Sequence, residues 1–144
     1  MKKDILIYVG CALTHADKYF RQNIELLKDH LRLMEGVKVL EFIGLVNGTP
    51  VDVYEHDIHN CVEKADLFIA ECSYPSTGLG WELGTAVEKH SKHVLAVAML
   101  DKTITRLVIG ANCERNPKYS FQIYTSLDEL VNLCVKKVEQ IKNF

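Results

Sequence analysis

The chain has 144 residues, a net charge of −2, 48% hydrophobic residues and 25% charged residues. That length supports one domain with a real core and is short for two. The Lys and Arg residues are scattered, so there is no basic footprint for nucleic acid, and no apolar run approaches the roughly 20 residues of a membrane span.

The basic start Met1-Lys2-Lys3 leads into Ile5-Leu6-Ile7-Tyr8-Val9. This run is too short for a signal peptide and lacks a cleavage pattern. It reads as a first strand, apolar throughout as expected when both faces are covered. Gly10-Cys11-Ala12 is then the turn that follows it. A helix is predicted from about Ala16 to Met34, with Ile24, Leu27, Leu31 and Met34 on one face, ended by Glu35-Gly36. Val37 to Phe42 reads as strand two, and Leu45 to Pro50 as a loop with the turn signal Asn47-Gly48. A helix from Val53 to Lys64 places Asp57 near its start. Ala65 to Ala70 is a third, buried strand.

Next comes a strand-to-helix turn rich in Ser, Thr and Gly, within the stretch Glu71 to Ala86, and a helix reaching about His90. Val94 to Ala98 is strand four. Thr103 to Ile109 is a short helix closed by Gly110, and Phe121 to Tyr124 is strand five. Ser126 to Lys142 is an amphipathic helix whose Ser126 and Glu129 resemble a capping box. The alternation of strand and helix implies an α/β fold: one doubly wound, Rossmann-like or flavodoxin-like domain over residues 1–144, with a five-stranded parallel sheet.

Five cysteines, Cys11, Cys61, Cys72, Cys113 and Cys134, form no Cys-x-x-Cys pair. The pattern argues against a disulfide scaffold or zinc site and for a reducing, cytoplasmic setting. Cys11 follows a strand, near a cleft, or is simply a small buried hydrophobe. Gly78, Gly80 and Gly84 make neither a dinucleotide fingerprint nor a P-loop, so no cofactor is expected. Ser76 and Thr77 open a helix, where they cap it, hold an anion, or both.

Glu82 is placed in the first turn of that helix, where the dipole keeps it ionised. It is either an ordinary helix-start carboxylate or a nucleophile; three nearby glycines, each costing roughly 1 kcal/mol in a helix interior, imply that something approaches closely. Asp57 opens the preceding helix at the same sheet edge. Two carboxylates at one cleft suit glycosidic cleavage. His56-x-x-His59 has metal-ligand spacing but no third ligand, so no metal is expected. His15, His30, His90 and His93 read as surface or loop residues. Tyr8 ends strand one and points to the core or to the cleft.

The run Pro75-Ser76-Thr77-Gly78-Leu79-Gly80-Trp81-Glu82-Leu83-Gly84-x-Ala86, preceded by Ala65-Asp66-Leu67-Phe68-Ile69-Ala70-Glu71, resembles the signature of the nucleoside 2'-deoxyribosyltransferase superfamily. Within it, the likeness is nearest the 2'-deoxynucleoside 5'-phosphate N-hydrolases. The resemblance implies that Glu82 is the nucleophile, Tyr8 positions it, and Asp57 exchanges a proton with the base. It also implies that Ser76 binds a 5'-phosphate, and that Gly10, Cys11, Gly78, Gly80, Thr105 and Arg106 lie along the substrate. Thr105 matches a position contributed by a neighbouring subunit, so a homodimer or higher homo-oligomer with shared sites is expected.

Departures from the family pattern are specific. Gly10-Cys11-Ala12-Leu13 stands where the hydrolases carry Gly-Ser-x-Arg, leaving Arg106 as the substitute cation. Asp57 lies one residue farther from the central motif, with Asp52 as the other candidate carboxylate. Ser76 favours hydrolysis of a nucleotide. The alternatives are base exchange between deoxynucleosides and a non-catalytic nucleotide-binding module.

Overall fold

Five strands form one parallel sheet in the computed structural model, which describes residues 3–44 and 47–143. They are β1 (Ile5–Cys11), β2 (Val37–Leu40), β3 (Leu67–Glu71), β4 (His93–Met99) and β5 (Tyr119–Tyr124), in the order β2-β1-β3-β4-β5. The chain thus starts in the middle of the sheet, steps out to β2, then crosses back over β1 to β3. The crossing creates a topological switch point between β1 and β3, where neighbouring connections leave on opposite faces and open a crevice at the carboxyl edge. The α/β, doubly wound reading of the sequence matches this architecture.

Helices cover both faces. α1 (Lys18–Arg32) and α5 (Leu127–Lys142) pack Phe20, Ile24, Leu27, Leu31, Leu130, Cys134 and Val138 against Ile7, Val9, Leu67, Ile69, Leu95 and Val97. The opposite face carries α2 (Pro50–Tyr54), α3 (Thr77–Gly84) and α4 (Arg106–Gly110). There Ile58, Leu79, Leu83 and Ala86 meet Tyr8, Phe68, Ala70, Val94 and Ala96. α1 also contributes Lys28, which is fully buried. Its ammonium lies 3.0 Å from Glu41 and 3.3 Å from Glu25, and 4.3 Å from the centre of the Phe42 ring. A buried lysine is tolerable only when paired in this way. It ties the end of β2 to α1.

The helix ends differ from expectation in instructive ways. α2 starts at Pro50 rather than Val53, because Thr49 and Asp52 form a reciprocal capping box. In α5, Ser126 caps the N–H of Glu129, but the Glu129 carboxylate accepts from the Thr125 hydroxyl at 2.8 Å instead of closing a box. Gly36 adopts φ +74°, the left-handed turn that ends the α1 connection. Leu45 and Val46 of the expected loop lie outside the described residues.

Two helices change their winding. α2 continues without a break into a π-helical segment, Glu55–Val62, and α3 into another, Thr85–Lys89. Their closing hydrogen bonds span five residues, Glu63 N–H to Ile58 O at 2.9 Å and His90 N–H to Thr85 O at 3.2 Å. Such π turns are rare and concentrate at functional sites.

Gly10 is not a turn residue. It lies in β1, where an added Cβ would sit 2.8 Å from a Phe68 ring carbon and 3.1 Å from a Leu79 methyl. The glycine lets α3 and β3 close onto β1. Gly10→Ala is therefore expected to lower unfolding stability by about 1–3 kcal/mol, the usual penalty of overpacking, measured by denaturant titration.

Candidate active site

Tyr8, Glu82 and Asp57 converge at the β1/β3 switch point. Tyr8 is almost fully buried on the α2/α3 side of the sheet, its ring 5.2 Å from that of Phe68. Its hydroxyl donates a short hydrogen bond to Oε2 of Glu82. This bond joins residues 74 positions apart and fixes α3 relative to β1. Glu82 lies in the second turn of α3, since the helix begins at Thr77. The dipole effect fades within the first turn, so it does not hold this carboxyl ionised. Burial instead raises its pKa from the usual 4.5 to about 8; the Tyr8 hydrogen bond opposes the rise and the charge of Asp57 adds to it. Tyr8 in turn is pushed far above the usual tyrosine value by burial and by the Glu82 charge.

Asp57 sits in the π-helical segment rather than at a helix start. Its Oδ1 accepts the Ile43 N–H at 3.0 Å, and burial raises its pKa while this hydrogen bond opposes the rise. Its charge reaches both Tyr8 and Glu82. Asp52, by contrast, is exposed and occupied in the capping box, accepting the Thr49 N–H at 2.9 Å. The extra residue between Asp57 and the central motif has a structural counterpart. A π turn closes over five residues where an α turn closes over four, so the Glu55–Val62 segment can absorb one residue and still aim Asp57 at the sheet edge.

Ser76 caps α3, its hydroxyl accepting the Leu79 N–H at 3.1 Å. The loop leading to it is pinned by a buried network absent from the sequence reading. Glu71, fully buried at the end of β3, accepts from Ser73 N–H at 2.5 Å, from the Ser73 hydroxyl at 2.9 Å and from the Tyr124 hydroxyl. The Ser73 hydroxyl also accepts the Met99 N–H at 2.8 Å, linking β3, β4 and β5. A glutamate closing an otherwise apolar strand was the only available signal. Lys102 lies beside this loop, its ammonium 4.7 Å from the centre of the Tyr74 ring.

The remaining candidate positions divide. Cys11 ends β1, and burial pushes its thiol up to about 12, so it stays protonated at neutral pH. Gly78, Gly80 and Gly84 are exposed, and none of the described residues presses on them; at Gly78 the nearest atom to an added Cβ is the Ser76 hydroxyl at 4.0 Å. The close approach expected from three glycines is therefore not made within one chain. Thr105 is the N-cap of α4, accepting the Leu107 N–H at 3.4 Å, and both it and Arg106 are exposed. The pair His56 and His59 does not converge: His59 turns to Glu63 and Tyr54, whereas His56 faces Cys61 and Asp57.

Among the described residues, no helix is long and apolar enough to cross a membrane. No protein-family model matches the chain. A protein of Thermofilum pendens, provisionally named a 2'-deoxynucleoside 5'-phosphate N-hydrolase, is 32% identical over 85 residues, 58% of this chain and 56% of that relative. The match thus spans little more than half of the relative's length. The Clostridium botulinum CMP N-glycosidase BcmB superposes with a TM-score of 0.69 at 19% identity, over 90% of this chain and 98% of that one. The sequence match is in line with the nucleoside 2'-deoxyribosyltransferase resemblance, and the superposition shows a shared fold. A conserved protein of Enterococcus faecalis V583 shares the layout at a TM-score of 0.57 and 14% identity, over 93% of this chain and 99% of that one. So does part of the Francisella novicida lysine decarboxylase LdcF, at a TM-score of 0.57 and 10% identity, over 98% of this chain and 18% of that one. The layout alone names no chemistry.

Glu82 holds its proton more tightly in the folded chain than in the unfolded one. Its contribution to stability is thus present at low pH and lost as pH rises from about 4.5 through about 8. The variant Glu82→Gln is expected to gain stability relative to the wild type across that window, read from denaturation midpoints at several pH values. A constant difference between the two would contradict a raised Glu82 pKa.

Proposed function

We propose that this chain hydrolyses the N-glycosidic bond of 2'-deoxynucleoside 5'-monophosphates through a covalent intermediate on Glu82. The observation that carries the reading is the convergence of two carboxyl groups, one buried and held by Tyr8, at the crevice where sheets of this topology bind ligands. Paired carboxylates are the apparatus of retaining glycoside cleavage.

In the first step an oxygen of the Glu82 carboxylate bonds to C1' of the sugar and the bond from C1' to the base nitrogen breaks. The departing base takes a proton from the Asp57 carboxyl group. Water then attacks C1', Asp57 recovers a proton from it, and the ester to Glu82 breaks. Tyr8 orients the attacking carboxylate and lowers the cost of ionising it in a buried setting. The N-terminus of α3, with Ser76, receives the 5'-phosphate, with Arg106 as the substitute cation and Lys102, beside Tyr74, as a second one.

A second copy of the chain completes the site in this reading. Trp81 is 64% exposed and Leu107 81% exposed, with Val51 and Tyr54 also bare on helices over the same sheet face. Exposed apolar surface of this kind marks an association site. Leu107→Glu is expected to shift the chain to monomer in sedimentation velocity, with loss of base release.

The reaction is tested by chromatography of free base. The named relatives differ in sugar, one a deoxynucleotide hydrolase and the other a CMP N-glycosidase, so dCMP and CMP are compared along with purine deoxynucleotides and unphosphorylated nucleosides. Release from deoxynucleotides without an acceptor base is expected, faster than from ribonucleotides because no electron-withdrawing 2'-hydroxyl opposes charge at C1'. Glu82→Gln abolishes it, and Asp57→Asn lowers kcat by about 10²–10⁴-fold, as for loss of an acid–base group. Because the free enzyme must hold Glu82 ionised and Asp57 protonated, one proton on the pair, kcat/KM is expected to follow a bell-shaped pH profile that falls as pH rises through about 8. Release from a nucleoside only when an acceptor base is added means base exchange. Tight nucleotide binding without turnover, unchanged by Glu82→Gln, means a binding module.

A further inference from the structure

Three donor atoms of different chemistry meet on the inner side of the Glu55–Val62 π turn. Ligand atoms of His56, Asp57 and Cys61 all lie within 4.8 Å of one another. The π winding is what brings them together: residues five apart share a face, and His56 Nε2 approaches Cys61 Sγ to 3.5 Å. A tetrahedral zinc ion with bonds of about 2.3 Å to sulfur and about 2.0 Å to nitrogen separates those two atoms by about 3.5 Å. The two groups share one backbone acceptor. The backbone carbonyl of Glu41 lies 2.5 Å from His56 Nε2 and 3.4 Å from Cys61 Sγ, and the buried Lys28 holds the Glu41 side chain.

We propose that His56, Asp57 and Cys61 form a three-residue binding site for a soft divalent cation of the zinc type, with water as the fourth ligand. Sulfur and imidazole donors select zinc over magnesium or calcium. Binding forms a metal–sulfur bond and releases the Cys61 thiol proton to solvent. His56 places its proton on Nδ1, so that the lone pair of Nε2 faces the ion. Asp57 keeps Oδ1 on the Ile43 N–H and offers its other oxygen. One thiolate and one carboxylate then balance the dication. His56 and Asp57 are only half-buried, which leaves the ion a route in. The sequence concealed this site because the helical spacing drew attention to His56 and His59. Occupancy would engage Asp57, the proposed proton carrier, so metal binding and base release exclude each other. The site itself rests on donor geometry and stands whether or not the chain hydrolyses nucleotides.

Zn2+ is titrated into the full chain in competition with a chromophoric chelator, and Co2+ is used as a spectroscopic substitute. One ion per chain and a thiolate-to-cobalt charge-transfer band are expected. His56→Gln and Cys61→Ala each weaken binding by at least about tenfold, and Cys61→Ala removes the band. Cys113→Ala, which alters the exposed thiol, leaves both intact. His56→Gln changes a half-buried side chain, so it reports even if Cys61→Ala fails to fold. Absence of stoichiometric binding, a cobalt spectrum without the thiolate band, or binding that survives His56→Gln overturns the assignment.

Discussion

The hydrogen bond from Tyr8 to Glu82 is the constraint on which the crevice depends. A carboxyl group in this position is buried at a cost, and the cost is bearable only because a phenol donates to it. That phenol has no other route to the crevice: Tyr8 sits on the central strand, packed against Phe68, so its hydroxyl position is set by the sheet itself. Gly10, two residues on along the same face, provides the close approach that seats α3 at the right height. Strand, helix and carboxylate are therefore one rigid assembly.

A second tyrosine–glutamate pair stands on the other side of the sheet. Tyr124 on β5 donates to Glu71 on β3, across β4, and Ser73 completes the set. The two pairs differ in what surrounds them. Glu71 has three donors and no exposure, which suits a structural anchor for the loop before α3. Glu82 has one donor among the described residues and is partly exposed, which leaves one carboxylate oxygen unengaged there.

Much of the fold was legible because the strands are continuous apolar runs and the helices carry clear stripes and breakers. All five strands and their parallel pairing follow from that patterning, with edges one or two residues longer or shorter than expected. The meeting of Glu82 and Asp57 was legible from the strand and helix pattern, which put both at one sheet edge, whereas Tyr8 joined them only through a motif resemblance. What escaped has physical reasons. A π turn carries no signature in hydrophobic spacing, so the winding around Asp57 and after Gly84 could not be read. The helix start at Thr77 moved Glu82 one turn inward, which reversed the electrostatic expectation from an ionised to a proton-holding group. The Glu71 network joins residues far apart in sequence, and no local pattern announces it.

The chain contains a single tryptophan, and it is Trp81. It precedes Glu82 in α3 and points its ring largely into water. An indole so placed emits at long wavelength when hydrated and at shorter wavelength when covered. The protein thus carries an intrinsic optical probe one residue from its buried carboxyl, so ordering of this surface can be followed without a label.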